Sequence, residues 1–279
     1  RNFFKVHRKI KKIYLSESDL LSNENKIELI DKFSKYGIKV LQSPSFENAN
    51  YKKDVSTYRP IQIEDLLSRE CVYPDENLIR KIIKESTICI TGAGGSIGSE
   101  LCRQVLKYKP KKLILLEMSE ENLYKIKSEF SNFELKNIQL IYFLGSATNK
   151  KLLQNIFRKY KVQIVFHAAA YKHVPIVEEN PISGIYNNVF STKVICEASI
   201  TNKLRLMILI STDKAVRPTN VMGCSKRLAE IVVQAFAQQK SLIDQKKIKS
   251  DTIFAMVRFG NVLGSSGSVV PLFQRQINE

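Results

Sequence analysis

The sequence places an acid beside an amine at the end of an apolar run. Residues 205–211 are mostly apolar and lead into Thr212, Asp213 and Lys214. Such a run predicts a buried strand, and side chains at the carboxyl ends of strands in an open α/β sheet face the crevice where ligands bind. A carboxyl and an amine there can divide proton donation and proton abstraction, provided that the crevice moves both pKa values toward neutrality. An exposed Asp–Lys pair in a loop is the equally weighted alternative.

A glycine-rich loop, TGAGGSIG, lies between a predicted strand and a predicted helix. Gly92 permits the sharp turn, and Gly98 lets the helix pack against the strand. Either Gly94 or Gly95 lets a pyrophosphate approach the backbone, while the helix N-terminus supplies N–H groups. The context predicts a dinucleotide site rather than a turn that binds nothing. Its candidate cofactor-binding residues are Gly92, Gly94, Gly95, Ser96, Ile97 and Gly98.

The second predicted strand ends in an acid, Glu117, 19 residues beyond Gly98. A carboxylate at this place can accept hydrogen bonds from the adenosine ribose, and it repels a 2′-phosphate. We therefore expect NAD rather than NADP. Lys125 and Lys127 lie nearby in the sequence, and a solvated cap at the end of the strand is the alternative role for the acid.

Apolar strands alternate with amphipathic segments of helix length from residue 87 onward. This alternation predicts an α/β fold of Rossmann type, a doubly wound parallel sheet covered on both faces. The predicted strands are 87–91, 112–117, 138–143, 163–167, 205–211 and 253–259. The predicted helices are 97–108, 119–130, 149–160, 178–200 and 221–240.

The domain organisation follows from shifts in these patterns. Residues 1–58 are interpreted as the remnant of a second, accessory α/β domain with a linker at 44–58; its predicted elements are a strand at 13–15, a helix at 25–36 and a strand at 38–41. Residues 59–85 form a connecting helical segment, and 86–279 the NAD-binding catalytic domain. Both chain ends resemble cuts in a longer protein, so we expect the carboxyl-terminal substrate lobe to be truncated.

Composition excludes several classes of protein. The chain has 279 residues, 44% apolar and 25% charged, which argues against disorder, and its apolar runs fall far short of the roughly 20 residues that span a bilayer. The net charge of +17 suggests an anionic partner, but scattered lysines without an arginine-rich stripe argue against nucleic acid. The basic start, Arg1 to Lys12, suits either an anionic lipid surface or a solvated tail. Five cysteines without CxxC spacing indicate a reducing cytoplasm, and no metal site is expected.

Five sequence blocks together resemble the extended short-chain dehydrogenase/reductases, and more narrowly the nucleotide-sugar 4,6-dehydratases of the membrane-anchored polysaccharide-biosynthesis branch. The resemblance covers residues 87–270 in family order. The blocks are TGAGGSIG at 91–98, HAAAYKHVP at 167–175, NNV at 187–189, STDKAVRPTNVMGCSK at 211–226 and RFGNVLGSSGS at 258–268.

The resemblance implies a UDP-sugar substrate, UDP-N-acetylglucosamine, and a redox-neutral loss of water. In such enzymes NAD takes a hydride from C4, the resulting ketone acidifies the C5 proton, and the hydride returns to C6. By resemblance Lys214 is the general base at C5, Asp213 donates a proton to the departing C6 hydroxyl, and Thr212 binds the C4 hydroxyl. Lys226 would hold the nicotinamide ribose.

The resemblance also extends to binding residues. It implies cofactor contacts at Ala168, Ala169 and Ala170, and substrate contacts at Lys172, His173, Asn188 and Asn261. His167 is interpreted as packing against the cofactor loop rather than as catalytic. A homo-oligomer in the cytoplasm is expected, at the cytoplasmic face of the inner membrane if an amino-terminal region anchors it.

The chain departs from the family pattern at three places. Met222 replaces the Tyr of the Tyr-x-x-x-Lys pair, and a thioether has no titratable proton. The base for C4 oxidation therefore has no assigned residue, and a water near Lys226 is our hypothesis. Ser146 stands where the family has an Asp that touches the adenine, and Ser191 replaces a Gly.

Two other functions remain open. A nucleotide-sugar 4-epimerase uses the same cofactor loop but has no need of the couple formed by Asp213 and Lys214. A non-catalytic dinucleotide-binding module that regulates glycan assembly is compatible with the missing Tyr and the shortened carboxyl end.

Overall fold

A computed structural model divides the chain into two units, Arg1–Tyr73 and Pro74–Glu279. The structure describes residues 10–15, 23–42, 59–60, 74–133, 137–238, 242–243, 246–247, 251–262 and 276. The predicted linker at 44–58 and most of the basic start lie outside these residues, as does the family block beyond Val262. Among the described residues, no helix is both long enough and apolar enough to cross a bilayer.

The first unit contains a small three-stranded sheet. β1 pairs with β2 in parallel, and β2 pairs with β3 in antiparallel orientation. Leu15, Ile38 and Leu41 are buried. The predicted strand, helix and strand are all found, with ends shifted by at most two residues, whereas β3 falls in the predicted connecting segment. The elements are β1 Lys12–Leu15, α1 Asn23–Ser34, β2 Lys39–Gln42 and β3 Arg59–Pro60.

The second unit alternates strands and helices. Its first half contains α2 Glu76–Ile83, β4 Thr87–Thr91, α3 Ser96–Lys107, β5 Lys112–Glu117, α4 Glu120–Ser131, β6 Gln139–Leu144, α5 Lys150–Tyr160 and β7 Ile164–His167. Its second half contains α6 Val174–Glu179, α7 Pro181–Ile185, a π-helical turn Tyr186–Phe190, α8 Ser191–Thr201, β8 Leu206–Thr212, a 3₁₀ turn Asp213–Ala215, α9 Val221–Gln238, β9 Leu242–Ile243, β10 Lys246–Lys247 and β11 Ile253–Phe259.

Six strands of the second unit form one sheet in the order β11-β8-β7-β4-β5-β6, and every pairing in it is parallel. The chain therefore runs outward from β4 in one direction and then returns to β7 on the other side of β4. Ligands of open α/β sheets bind at such a reversal, outside the carboxyl ends of the strands. The predicted Rossmann-type sheet is confirmed.

Apolar side chains on successive residues cover opposite faces of this sheet, as the pleat requires. Cys89 and Ile114 belong to a cluster with residues of α5, α8 and α9. Ile88 and Leu113 belong to a second cluster with residues of α2, α3 and α4. The carboxyl ends of the strands are thus held by a core on both faces.

The predicted helix at 178–200 is wrong as a single element. The structure begins a helix earlier, at Val174, ends it before Asn180 and starts another at Pro181. A proline has no N–H group to donate, so Pro181 fits the first turn of a new helix and not the interior of an old one. A π-helical turn then leads into α8.

Candidate active site

The glycine-rich loop joins the end of β4 to the start of α3 and packs against the neighbouring strands. Gly92 has a φ of +66° and donates its N–H to the Leu116 carbonyl at 2.8 Å. A Cβ on Gly98 would overlap the Gly92 carbonyl oxygen, so the loop and the first turn of α3 approach each other more closely than a side chain permits. Close backbone contacts thus shape the turn at Gly92 and its junction with α3.

A cavity of about 310 Å³ opens beside the loop at the carboxyl ends of β4, β5 and β7. The sequence left Gly94 and Gly95 as alternatives for close approach to a ligand. A Cβ on Gly94 would meet the Asn122 Cβ at 2.6 Å, whereas the nearest atom to a Cβ on Gly95 is the Gly92 carbonyl oxygen at 3.3 Å. Gly95 lines the cavity, and the space over Gly94 is already taken by Asn122.

The cavity gathers many of the predicted cofactor residues. Those that line it are Gly92, Gly95, Glu117, Ala168, Ala169 and Ala170. Sequence reasoning missed Ser119 and Asn122, which also line it. Ser119 closely follows the carboxyl end of β5, so the strand-end argument that selected Glu117 applies to it as well, whereas Asn122 lies in the first turn of α4, where that argument does not reach.

The start of α3 suits a phosphate group. Its N-cap residue, Gly95, makes no side-chain capping bond, and the first turn contains no acid. By contrast, Ser119 and Asn149 cap α4 and α5 through their side chains. An uncapped N-terminus beside a cavity of ligand size fits the pyrophosphate of a dinucleotide.

The Glu117 carboxylate is buried at the edge of the cavity and contacts the backbone. One oxygen accepts the Gly94 N–H at 3.0 Å, and the other accepts the N–H groups of Met118 and Ser119 at 2.9 and 3.0 Å. The oxygen that accepts the Gly94 N–H keeps a second acceptor position, so the expected contact with a ribose hydroxyl does not require the loss of any of these bonds. The acid therefore also holds the glycine loop against the end of β5.

The acid–amine pair lies at the carboxyl end of β8. Lys214 Nζ is 3.5 Å from Asp213 Oδ1, which also accepts the Thr212 hydroxyl at 3.0 Å. Both side chains are open to solvent, with 55% of Asp213 and 40% of Lys214 exposed. The Thr212 hydrogen bond, followed by the Lys214 charge, lowers the pKa of Asp213. For Asp213 the expected movement of the pKa toward neutrality is therefore absent from this arrangement.

Asn261 completes this cluster from the neighbouring strand. It follows β11, and its Oδ1 accepts a hydrogen bond from Lys214 Nζ at 2.9 Å. The predicted substrate contact is thus a direct partner of the predicted base. Lys172 and His173 are exposed in the loop between β7 and α6.

Asn188 does not occupy the expected position for a substrate contact. Its side chain is 2% exposed. Its amide binds both the N–H and the C=O of Tyr171, at 2.8 and 3.0 Å, and donates to the Ser225 hydroxyl at 2.9 Å. With the Asn187 amide also donating to its oxygen, the group has no free hydrogen-bonding position. Asn188 fixes the loop after β7 to α9.

Comparison with known proteins identifies the family. A family model described as polysaccharide biosynthesis protein matches residues 88–279. The chain belongs to this family. It is 40% identical over 274 residues to the capsular polysaccharide biosynthesis protein CapD of Staphylococcus aureus, an alignment that covers 96% of the chain and 43% of that protein.

Two further similarities bear on the function. Over 198 residues the chain is 36% identical to a UDP-glucose 4-epimerase of Rickettsia rickettsii, covering 70% of the chain and 54% of that protein. The X-ray structure of Pen from Bacillus thuringiensis matches 71% of the chain and 58% of its own length, with a TM-score of 0.64 and 34% identity. The chain spans less than two thirds of each of these relatives.

In this member of the polysaccharide biosynthesis family, the helix α9 carries Met222 and Lys226 on its buried face. Met222 is 3% exposed and Lys226 is 7% exposed. Lys226 Nζ donates to the Ile210 carbonyl of β8 at 2.6 Å. Burial lowers the pKa of Lys226 to about 8, against an opposing effect of the Glu230 charge. An amine with this pKa exchanges protons near neutral pH.

The replacement at Ser191 has a clear structural consequence. The buried His167 ring accepts or donates at both nitrogens, with Nδ1 2.7 Å from the Thr91 hydroxyl and Nε2 3.2 Å from the Ser191 hydroxyl. Burial, together with the Lys226 charge, lowers the pKa of His167 to about 3, so the ring is neutral. A glycine at position 191 would leave Nε2 without this partner. His167 thus links the base of the cofactor loop to α8.

Proposed function

We propose that the protein is an NAD-dependent enzyme that removes water from UDP-N-acetylglucosamine and yields a UDP-4-keto-6-deoxy-N-acetylhexosamine. The observation that carries this proposal is the contact of Lys214 with both Asp213 and Asn261 at the carboxyl edge of the sheet. The glycine-loop cavity opens at the same edge, and β8 lies two strands, or about 10 Å, from β4. The similarity to a capsular polysaccharide protein supports a role in supplying a sugar for a surface glycan.

The residues around the cavity fit a dinucleotide. Gly92, Gly95 and the Ala168–Ala170 segment would hold it, with the pyrophosphate at the uncapped start of α3. When bound, NAD supplies the hydride acceptor for C4 oxidation and the hydride donor for C6 reduction. The buried Glu117 carboxylate disfavours a 2′-phosphate and so supports NAD over NADP.

The elimination step is assigned to Asp213 and Lys214. The Lys214 amine takes the C5 proton, the C5–H electron pair becomes the C5–C6 double bond, and the C6 hydroxyl leaves as water with a proton from Asp213. Donation requires a protonated Asp213, and Thr212 opposes that state in the present arrangement. We propose that the C4 hydroxyl of the sugar takes over the Thr212 hydrogen bond, and that exclusion of water then raises the pKa of Asp213.

The first deprotonation, at the C4 hydroxyl, is assigned to the amine of Lys226, acting directly or through a water. Met222 has no proton to exchange. The pKa of Lys226, lowered to about 8, makes its neutral form accessible at neutral pH.

Incubation of the whole protein with UDP-N-acetylglucosamine in heavy water tests the reaction. A 4,6-dehydratase yields a product that has lost water and gained deuterium at C5, as read by mass spectrometry. Asp213→Asn and Lys214→Ala should each slow the reaction by about 10²- to 10⁴-fold without loss of NAD affinity. Wild-type turnover in both variants would refute the assignment of the acid and the base.

A 4-epimerase is the second candidate, favoured by the similarity to the Rickettsia protein. Epimerisation inverts C4 without loss of water or uptake of solvent deuterium at C5. The same mass spectrum therefore separates the two reactions. An absence of any product would favour the non-catalytic dinucleotide-binding module.

We propose residues 1–58 as the end of an accessory domain, 59–85 as a connecting segment and 86–279 as the NAD-binding catalytic domain. We further propose a cytoplasmic homo-oligomer, which lies at the cytoplasmic face of the inner membrane if an amino-terminal region anchors it. Light scattering on the purified protein and fractionation of cells test the oligomer and the location.

A further inference from the structure

A buried carboxylate lies directly behind the acid–amine pair. Glu230 of α9 is 0% exposed, and each of its oxygens accepts two side-chain hydrogen bonds. Oε1 accepts the Ser211 hydroxyl at 2.7 Å and Arg258 Nε at 2.8 Å, while Oε2 accepts Arg258 Nη2 at 2.7 Å and Arg227 Nη1 at 2.9 Å. Burial alone raises the pKa of a carboxyl group, but the bonds from Arg258, Ser211 and Arg227 outweigh it and lower the pKa of Glu230 to about 2. The group is therefore a charged carboxylate, and all four of its hydrogen-bond acceptor positions are occupied.

The partners of Glu230 are matched residues on adjacent strands. Arg258 of β11 lies opposite Ser211 of β8 in the parallel register, so one carboxylate fastens the two strands together at a single level. Immediately beyond that level β8 continues into Asp213 and Lys214, and β11 continues into Asn261. The Lys214–Asn261 hydrogen bond thus joins the two chain segments that Glu230 holds from below.

The end of β11 has few other attachments in the part of the chain that the structure describes. β11 is the outer strand of the sheet and pairs only with β8 among the described strands. Val257 and Phe259, which flank Arg258, are 44% and 36% exposed. Apolar packing therefore contributes little at this end of the strand, and a bidentate arginine–carboxylate pair supplies the directional contact.

We propose that Glu230 is a positioning residue for the acid–amine pair. It fixes the position of the Lys214 amine through Arg258 and Asn261, and the position of Asp213 through Ser211. The inference rests on the proposed function, because it assigns Glu230 to the elimination step of that reaction. Glu230 itself does not reach the acid–amine pair. Its effect on the acid–amine pair passes through the strand ends, so its loss should slow removal of the C5 proton. The Glu230 charge also raises the pKa of Lys226, so removing that charge favours the neutral amine and should not slow the deprotonation at C4.

Glu230→Gln tests this inference, because glutamine keeps the shape of the side chain and removes its charge. In single turnovers of the whole protein with UDP-N-acetylglucosamine in heavy water, C5 deuterium uptake should slow by about a hundredfold, with a much smaller effect on C4 oxidation. A crystal structure of the variant should show Lys214 Nζ beyond hydrogen-bonding distance of Asn261. If Glu230→Gln does not fold, Arg258→Lys replaces it as the test. Lysine keeps the positive charge but cannot form the bidentate pair, so it should give the same selective effect.

Glu129→Gln is the matched control. Glu129 forms the same kind of bidentate pair, with Arg103 at 2.6 and 3.0 Å, but it joins α3 and α4 on the cofactor side. Its loss should leave the ratio of the two rates unchanged. Equal slowing of both steps in Glu230→Gln, or an unchanged Lys214–Asn261 contact, would overturn the positioning role. If the wild-type protein does not dehydrate the sugar but the contact still breaks in the variant, the proposed function fails and the positioning of Lys214 stands.

Discussion

The two ends of the candidate site are built in different ways. The cofactor cavity is shaped by backbone, with Gly92 and Gly98 in contact and the Glu117 carboxylate bound to three N–H groups. The acid–amine end is shaped by side chains, and Asp213 and Lys214 are half open to solvent. Backbone packing is rigid before a ligand arrives, whereas exposed polar contacts compete with water. The comparison indicates that the cavity is formed in advance and that the chemistry awaits a substrate that excludes water.

The largest effect is expected when one glycine at each end of the site is replaced by alanine. Gly98→Ala forces a Cβ onto the Gly92 carbonyl oxygen, and we expect it to lower the free energy of unfolding by about 3 kcal/mol and to abolish NAD binding. A Cβ on Gly260 would meet only Asp213 Oδ2, at an ordinary 3.8 Å. Gly260→Ala should therefore change the free energy of unfolding by less than about 1 kcal/mol. Denaturant unfolding and calorimetric NAD titration measure both; equal losses would mean that the two ends are equally rigid.

The buried amine of Lys226, which donates to β8 just before the acid–amine end, is tested through the pH dependence of stability. Its pKa is about 8 in the folded protein against an ordinary 10.5, so the unfolded chain binds the proton more tightly. The resulting destabilisation is complete below about pH 8 and is lost as the pH rises toward 10.5. The difference in free energy of unfolding between the wild type and Lys226→Met should therefore change by on the order of 3 kcal/mol between pH 7 and pH 11. A difference independent of pH would show that the Lys226 amine is hydrated and that water reaches the interior between β8 and α9.

The hydrogen bonds of the buried His167 ring, which join the end of β4 to α8, are tested by substitution of Ser191. Ser191→Ala removes the partner of His167 Nε2, and a buried nitrogen left without a hydrogen bond costs about 2 kcal/mol. Ser199→Ala on the same helix is the control, because the Ser199 hydroxyl donates only to the Ile195 carbonyl of its own helix. Thermal unfolding of the two variants should separate them clearly. Equal melting temperatures would argue that His167 does not depend on Ser191.

The sequence predicts the strands of the sheet well, but it does not predict the contacts between side chains of different elements. The ends of β4, β5 and β11 match the prediction because each is a short apolar run between polar residues. The helix at 178–200 was expected to be continuous because its apolar residues conceal the break, although Pro181 signals it. The burial of Glu230 cannot be predicted from the sequence, because an acid four residues after Lys226 on an amphipathic helix is typical of a solvated position. Only the register that sets Arg258 opposite Ser211 reveals its role, and register is a property of the folded sheet.

The smallest effect is expected at Thr212, on the exposed end. The Thr212 hydroxyl is the main cause of the lowered pKa of Asp213, so Thr212→Val should raise that pKa, as followed by carbon NMR of the carboxyl group. A lowered pKa stabilises the fold above the ordinary pKa of the acid, and this contribution is lost as the pH falls through the folded value. Because Asp213 is 55% exposed, the contribution should stay below about 1 kcal/mol. A loss in Thr212→Val as large as that in Ser191→Ala would show that the acid–amine end is as firmly built as the cavity, and that substrate is not needed to assemble it.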